Sequence, residues 1–133
     1  MKLSTFSKLK ILSYIWTATK SKINFPEYYR NYFMIIYNVT VNIDEDIEEE
    51  WLEWMTTKHI PEIMATNCFK DSKVYRMLSP EPEEGVTYSI QYMADELEAF
   101  EKYQIEHAAI LQSEHNDKFK GKFTAYRSVL ENV

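Results

Sequence analysis

Two long runs of the chain alternate between apolar and polar residues, with the period of two that marks a β-strand buried on one face. They are Met34–Ile43 and Val86–Met93. Two further runs, Lys73–Leu78 and Lys122–Leu130, are also rich in strand-forming residues. The pattern therefore predicts four strands, all within the last 100 residues.

Apolar residues recur every three or four positions in two other stretches, which predicts amphipathic helices. The first begins at Ile47 and runs to Thr57 with a continuation, and Pro61 should end or kink it. The second covers Glu96–Gln112. The order strand, helix, strand, strand, helix, strand predicts an α+β fold, a ferredoxin-like βαββαβ sandwich. Its four-stranded antiparallel sheet would carry both helices on one face.

The two faces of the predicted sheet differ in polarity. One face is strongly apolar and should meet the helices, whereas the other is semi-polar. The semi-polar face carries Asn38, Thr40, Thr87, Ser89, Gln91 and Tyr126, with Ile36, Met93 and Leu130 among them. Lys and Glu would dominate a solvated face, so we expect this one to pack against a second copy in a homodimer.

Charge divides the chain at Met34. Residues 1–33 carry six basic residues and one acidic residue, whereas residues 34–133 carry nine basic and twenty acidic residues. We therefore expect residues 1–33 to be a basic N-terminal extension and residues 34–133 to be one ferredoxin-like domain. A mis-called start codon or a genuine basic arm would each produce this break in composition.

The composition also restricts the kinds of partner that the chain is expected to have. The acidic domain would repel a phosphate backbone, so no nucleic acid is expected, and no apolar stretch is long enough for a membrane span. The single cysteine, Cys68, fits a reducing, cytoplasmic location. The chain has only two glycines and no paired metal-ligand spacing, so we expect neither a cofactor nor a metal.

Histidine is the residue type most suited to proton transfer near neutral pH. His107 lies within the apolar stripe of the second predicted helix, and His59 lies at the end of the first, beside Pro61. Both are candidate catalytic residues, although the more common explanation is structural: a hydrogen-bonded core histidine at His107 and a helix-end contact at His59. His115 lies among Glu114, Asn116 and Asp117, and we expect it to be solvated.

A cleft between the first helix and the sheet is the expected ligand site, since aromatic walls with a polar group at the rim are typical of such sites. The candidate ligand-binding residues are Trp51, Trp54, Met55, His59, Tyr88, Tyr92, Tyr103 and His107.

Four motifs make the chain resemble an uncharacterised bacterial family that carries a domain-of-unknown-function label. The resemblance covers Met34 to about Glu131, and it implies no catalytic residue. The motifs are MIIYNVTV from Met34, WLEWM from Trp51, HIPEIMAT from His59 and YSIQYM from Tyr88.

The predicted fold is also similar to the dimeric α/β-barrel superfamily, which includes cofactor-free monooxygenases, haem-degrading enzymes and lactone isomerases. The haem-degrading branch uses an Asn on the first strand together with a Trp and a His on the second helix. Asn38 and His107 match that pattern, but Trp51 and Trp54 lie on the first helix and Asn38 faces away from the helices. This branch is therefore a poor fit.

Function is not fixed by these patterns. The first hypothesis is a homodimeric binding or assembly module with a helix–sheet pocket, since no pair of ionisable groups has a fixed catalytic spacing. The alternative is an enzyme of the dimeric-barrel type that acts on a hydrophobic or aromatic metabolite, with His107 or His59 transferring a proton.

Overall fold

The computed structural model describes residues 34–133. The predicted N-terminal extension, residues 1–33, lies outside the described residues. Four strands form one sheet: β1 (Ile35–Ile43), β2 (Asp71–Arg76), β3 (Val86–Ala94) and β4 (Phe123–Glu131). Their order across the sheet is β2-β3-β1-β4, and every neighbouring pair is antiparallel. The predicted ferredoxin-like α+β fold is confirmed.

Each predicted helix consists of two shorter ones. The first comprises α1 (Glu48–Trp54) and α2 (Ile60–Ala65), which are joined by a turn of π-helix at Met55–His59. The second comprises α3 (Leu97–Glu106) and α4 (Ala108–Lys118). No helix within residues 34–133 is long and apolar enough to cross a membrane.

The π turn explains how the first helix passes Pro61. A proline ring collides with the carbonyl four residues earlier in a regular α-helix. Here the N–H of Ile60 bonds to the carbonyl of Met55, five residues back, so the helix is widened immediately before the proline. The chain therefore continues through Pro61 as α2 instead of ending there.

The second helix breaks at His107, whose backbone leaves the helical region at φ −129° and ψ −31°. No proline or glycine lies at this position, so the sequence gives no signal of the break. The N–H of His107 still bonds to the carbonyl of Tyr103. α4 therefore begins at Ala108, directly after this one irregular residue.

The core lies between the helices and one face of the sheet. The helix-facing residues of β1 and β3 are almost all buried, and Trp51 of α1 is fully buried against Tyr88. At the other end of the core, aromatic rings pack on Tyr37 with centroid separations between 5.1 and 6.1 Å. They belong to Phe69, Tyr92, Phe100 and Tyr103.

The opposite face of the sheet, hereafter the open face, is covered by no helix of the described residues. Its strand residues include only two charged side chains, Asp71 and Lys73, both on the edge strand β2. Asn38 at its centre accepts a hydrogen bond from Ser89 (2.6 Å) and donates one to Thr40 (3.1 Å). The predicted semi-polar character of this face is therefore confirmed.

Candidate functional site

A cavity of about 30 Å³ lies between the helices and the sheet. We call it the helix–sheet cavity. Its apolar wall is formed by Val39, Val41, Met55, Ile63, Ile90 and Ala125. Its polar wall is formed by His59, Gln112, His115, Arg127 and three tyrosines, Tyr37, Tyr92 and Tyr103. Among the described residues that line it, none carries a carboxylate.

The π turn places His59 in this wall. The imidazole is only 7% exposed and stacks on Trp54 with ring centroids 4.9 Å apart. Its Nδ1 atom is fully buried and has no hydrogen-bond partner among residues 34–133. A buried polar atom without a partner costs about 1–3 kcal/mol, so this nitrogen is an unusual feature of the core.

His115 of α4 lies beside His59, with 5.8 Å between the ring centroids. It is also 7% exposed, and its Nε2 atom accepts a hydrogen bond of 2.9 Å from the indole N–H of Trp51. The expectation that His115 is solvated was wrong. Its ring packs edge-on against Phe123 of β4, which fixes α4 against the sheet.

Both histidines are neutral at pH 7. Burial, which disfavours the charged imidazolium, lowers the pKa of His59 to about 4 and that of His115 to about 4. The positive charge of Arg127 acts in the same direction on both rings, while Glu62 partly opposes the change at His59. The cavity therefore contains two uncharged imidazoles.

The three tyrosines are held in the phenol form. Burial is the largest cause in each case, and it raises the pKa of Tyr37, Tyr92 and Tyr103. Arg127 and Gln112 oppose the rise at Tyr37 only in part. Their hydroxyl groups can accordingly donate hydrogen bonds into the cavity.

Arg127 sits on the helix-facing side of β4, opposite Val39 of β1. This position is unexpected, because Ala125 and Val129 on the same side of the strand are apolar. Arg127 is exposed, yet it also lines the cavity and therefore lies at its rim. Gln112 of α4, which is half-buried, lies at the same opening.

The part of the chain that resembles known proteins begins at Met34, where the charge of the sequence also changes. A family model described as a domain of unknown function (DUF4286) matches residues 34–133. The chain belongs to this family. The resemblance drawn from the four sequence motifs is confirmed, and no protein of curated function matches the chain significantly.

Solved structures with the same fold as this DUF4286 domain have little sequence similarity to it. A conserved protein of unknown function from Bacteroides thetaiotaomicron has a TM-score of 0.55 at 12% identity, covering 76% of this chain and 99% of its own. An ethyl tert-butyl ether D (EthD) family protein from Bacillus halodurans has a TM-score of 0.51 at 16% identity, and the match covers 74% of this chain and 99% of that protein. A Bacillus cereus protein provisionally named an antibiotic biosynthesis monooxygenase has a TM-score of 0.53 at 15% identity, and the match covers 75% of this chain and 93% of that protein. These similarities show the fold alone.

Apart from His107, the candidate ligand-binding residues of the DUF4286 domain separate into three groups. Met55, His59, Tyr92 and Tyr103 line the cavity. Trp54 stands behind His59, against which it stacks. Trp51 and Tyr88 pack against each other, and the Tyr88 hydroxyl donates to Glu48 (2.7 Å).

His107 does not line the cavity. The expectation that it lies buried in the apolar stripe was wrong, since it occupies the break between α3 and α4 and its side chain is 34% exposed. Its Nε2 atom lies 3.7 Å from a carboxylate oxygen of Glu106. Asn38 lies on the open face, away from the cavity, as its strand alternation predicted.

Four polar residues of the cavity were not among the candidates predicted from the sequence, namely Tyr37, Gln112, His115 and Arg127. The sequence does contain a signal for His115, because His107, Leu111, His115 and Phe119 follow one another at intervals of four residues. This spacing places them on one side of a helix. A signal also existed for Arg127, since strict alternation places it on the apolar side of β4. Within residues 34–133, no cluster of three or more His, Cys, Asp or Glu side chains could hold a metal ion.

Proposed function

We propose that this protein is a homodimeric, cytosolic small-molecule-binding module whose ligand site is the helix–sheet cavity. The observation that carries the proposal is the fully buried Nδ1 atom of His59, which lacks a hydrogen-bond partner in the part of the chain that the structure describes and belongs to a residue that lines the cavity. A ligand group that hydrogen-bonds to this nitrogen would offset its desolvation. Convergent polar groups in an otherwise apolar wall also support this use of the cavity.

The size of the cavity restricts the ligand. A space of about 30 Å³ has room for about two water molecules, because one water needs about 10–15 Å³. Only the innermost part of a ligand fits there without movement of the walls. The remainder would lie at the opening between α4 and β4, where Gln112 and Arg127 are placed.

The second candidate function is an enzyme of the dimeric α/β-barrel type. The adjacency of His59, His115 and the Tyr103 phenol around one cavity favours it. However, an efficient general base has a pKa near the working pH, and burial lowers the pKa of both histidines to about 4. At neutral pH these rings are better suited to accept or donate hydrogen bonds than to remove protons, which supports binding over proton transfer.

The open face supports the homodimer. Its central strands carry no charged side chain, and Tyr126 and Leu130 on β4 are exposed beside them. A second copy of the same face would offer matching hydroxyl, amide and apolar groups, whereas a highly charged partner would find no complementary charge. Two such faces would together bury roughly 1,600 Å², the standard interface area.

Methionine methyl groups provide the test of the ligand site. Met55 lines the cavity and Met93 lies on the open face, so their ¹³C-methyl NMR signals report on the two surfaces separately. A library of small polar fragments should contain compounds that shift Met55 and leave Met93 unchanged. These shifts should vanish in Ala125→Leu, which fills the cavity, and persist in Ala109→Leu on the exposed side of α4.

Absence of any Met55 shift in the folded wild type would reject the proposed function. Shifts that persist in Ala125→Leu would do the same, since the fragments would then be bound elsewhere. Circular dichroism confirms that each variant is folded, and Ala125→Val offers a smaller substitution at the same place.

A further inference from the structure

Arg127 has no partner of opposite charge in the part of the chain that the structure describes. Within residues 34–133, no ion pair involves its guanidinium, and none of the residues that line the cavity is acidic. Five other basic side chains of residues 34–133 each lie within 4 Å of a carboxylate, namely Lys58, Lys70, Arg76, Lys118 and Lys122. Lys73, Lys102 and Lys120 are also without an ion pair there, but they lie outside the cavity, so Arg127 is distinguished by its position. Arg127 therefore provides an uncompensated positive charge at the cavity rim.

The rest of the rim cannot compensate this charge. The two histidines are neutral, and the tyrosines present hydroxyl groups that donate hydrogen bonds. Arg127 influences the ionisation of Tyr37, Tyr103, His59 and His115, four of the polar residues that line the cavity. Such a wall favours an anionic group with several acceptor oxygens, and a planar guanidinium matches a carboxylate particularly well.

The inner end of the cavity has a different requirement. The unpaired Nδ1 atom of His59 needs one uncharged hydrogen-bonding group, and the neighbouring walls are formed by Met55 and Ile63. The volume of about 30 Å³ leaves room between the two ends for only a few non-hydrogen atoms. A ligand must therefore be short and must carry polar groups at both ends.

We propose that the cavity binds a short organic carboxylate bearing a second, uncharged oxygen group. The carboxylate contacts Arg127 and the tyrosine hydroxyls, and the second oxygen group contacts Nδ1 of His59. This assignment rests on the proposed function, since it names the ligand class of the same cavity.

Three closely matched compounds test the assignment in the wild-type chain. Lactate has both groups, lactamide lacks the charge and propionate lacks the hydroxyl group. Titrations followed by the Met55 methyl signal should give a Kd for lactate at least tenfold lower than that for lactamide. The Kd for propionate should lie severalfold above that for lactate.

Two substitutions identify the residues responsible for the preference for lactate over lactamide and over propionate. Arg127→Gln should abolish the advantage of lactate over lactamide, whereas Arg76→Gln, the same substitution on β2 outside the cavity, should preserve it. His59→Phe, which keeps an aromatic ring against Trp54, should abolish the advantage of lactate over propionate.

The ligand class would be overturned by equal affinities for lactate and lactamide, or by an advantage that survives Arg127→Gln. It would also be overturned if none of the three compounds moved the Met55 signal. If library fragments still shift Met55 in that case, the proposed function stands and only the carboxylate assignment fails. If neither the three compounds nor the fragments shift Met55, both fail.

Discussion

The indole N–H of Trp51 donates a hydrogen bond of 2.9 Å to Nε2 of His115, joining α1 to α4 across the core. Because Nε2 accepts this bond, the proton of the neutral imidazole resides on Nδ1. The bond therefore fixes the tautomer of one of the two cavity histidines. It also requires that His115 stay neutral, since a protonated Nε2 could no longer accept the indole proton.

Replacement of His115 by phenylalanine should destabilise the fold. The substitution keeps the ring but leaves the fully buried indole N–H of Trp51 without an acceptor, and such a group costs about 1–3 kcal/mol. The free energy of unfolding, measured in urea, should fall by this amount. The double variant Trp51→Phe/His115→Phe should lose less than the sum of the single variants. Wild-type stability of His115→Phe would mean that the hydrogen bond is unimportant.

Acidification should destabilise the protein between about pH 6.5 and pH 4. Burial lowers the pKa of His59 and His115 to about 4 in the folded state, whereas the unfolded chain binds a proton at each near pH 6.5. The unfolded state therefore binds more protons in this range, and stability is lost as the pH falls. The free energy of unfolding should fall by at most about 1.4 kcal/mol per pH unit for each histidine.

Urea unfolding at half-unit pH intervals measures this slope. His59→Phe should reduce it by about half, because one of the two titrating groups is removed. His107→Phe is the matched control, since that half-exposed ring lies outside the cavity. A flat stability profile between pH 6.5 and pH 4 would show that neither cavity histidine is held neutral.

Removal of residues 1–33 should leave the domain intact. The inverted charge of this segment and the family match beginning at residue 34 motivate the prediction. We expect the free energy of unfolding of residues 34–133 to lie within about 1 kcal/mol of the full chain, the effect of losing little buried surface. Thermal unfolding of the two chains measures this difference. A large loss of stability in the shorter chain would show that residues 1–33 are an integral part of the fold.

The open face should mediate a dimer in solution. Sedimentation equilibrium at micromolar concentration should give twice the chain mass for the wild type. Thr40→Lys/Gln91→Glu should shift the protein towards the monomer, because it places two charges in the centre of the interface. Ala109→Lys/Gln104→Glu, the same charges on exposed helix positions, should remain dimeric. A monomeric wild type, or a fully dimeric sheet variant, would reject this interface.

Sequence patterns predicted the fold well because strand alternation and helical spacing are local properties. All four strands begin and end within two residues of their predicted limits. The cavity was harder to predict, because the break at His107 has no sequence signal and the polar neighbours of His115 hide its place in the core. Strand alternation does place Arg127 on the helix-facing side of β4, but the cavity itself depends on packing between α4 and β4, which no local pattern records.

Selective retention of a natural small molecule tests the central claim most directly. The wild type, Ala125→Leu and Ala109→Leu are each equilibrated with a metabolite extract and separated from unbound compounds by ultrafiltration, and the retained compounds are identified by mass spectrometry. The account predicts at least one short, negatively charged compound retained by the wild type and Ala109→Leu but not by Ala125→Leu. Retention of the same compounds by all three proteins, or of none by the wild type, would contradict it.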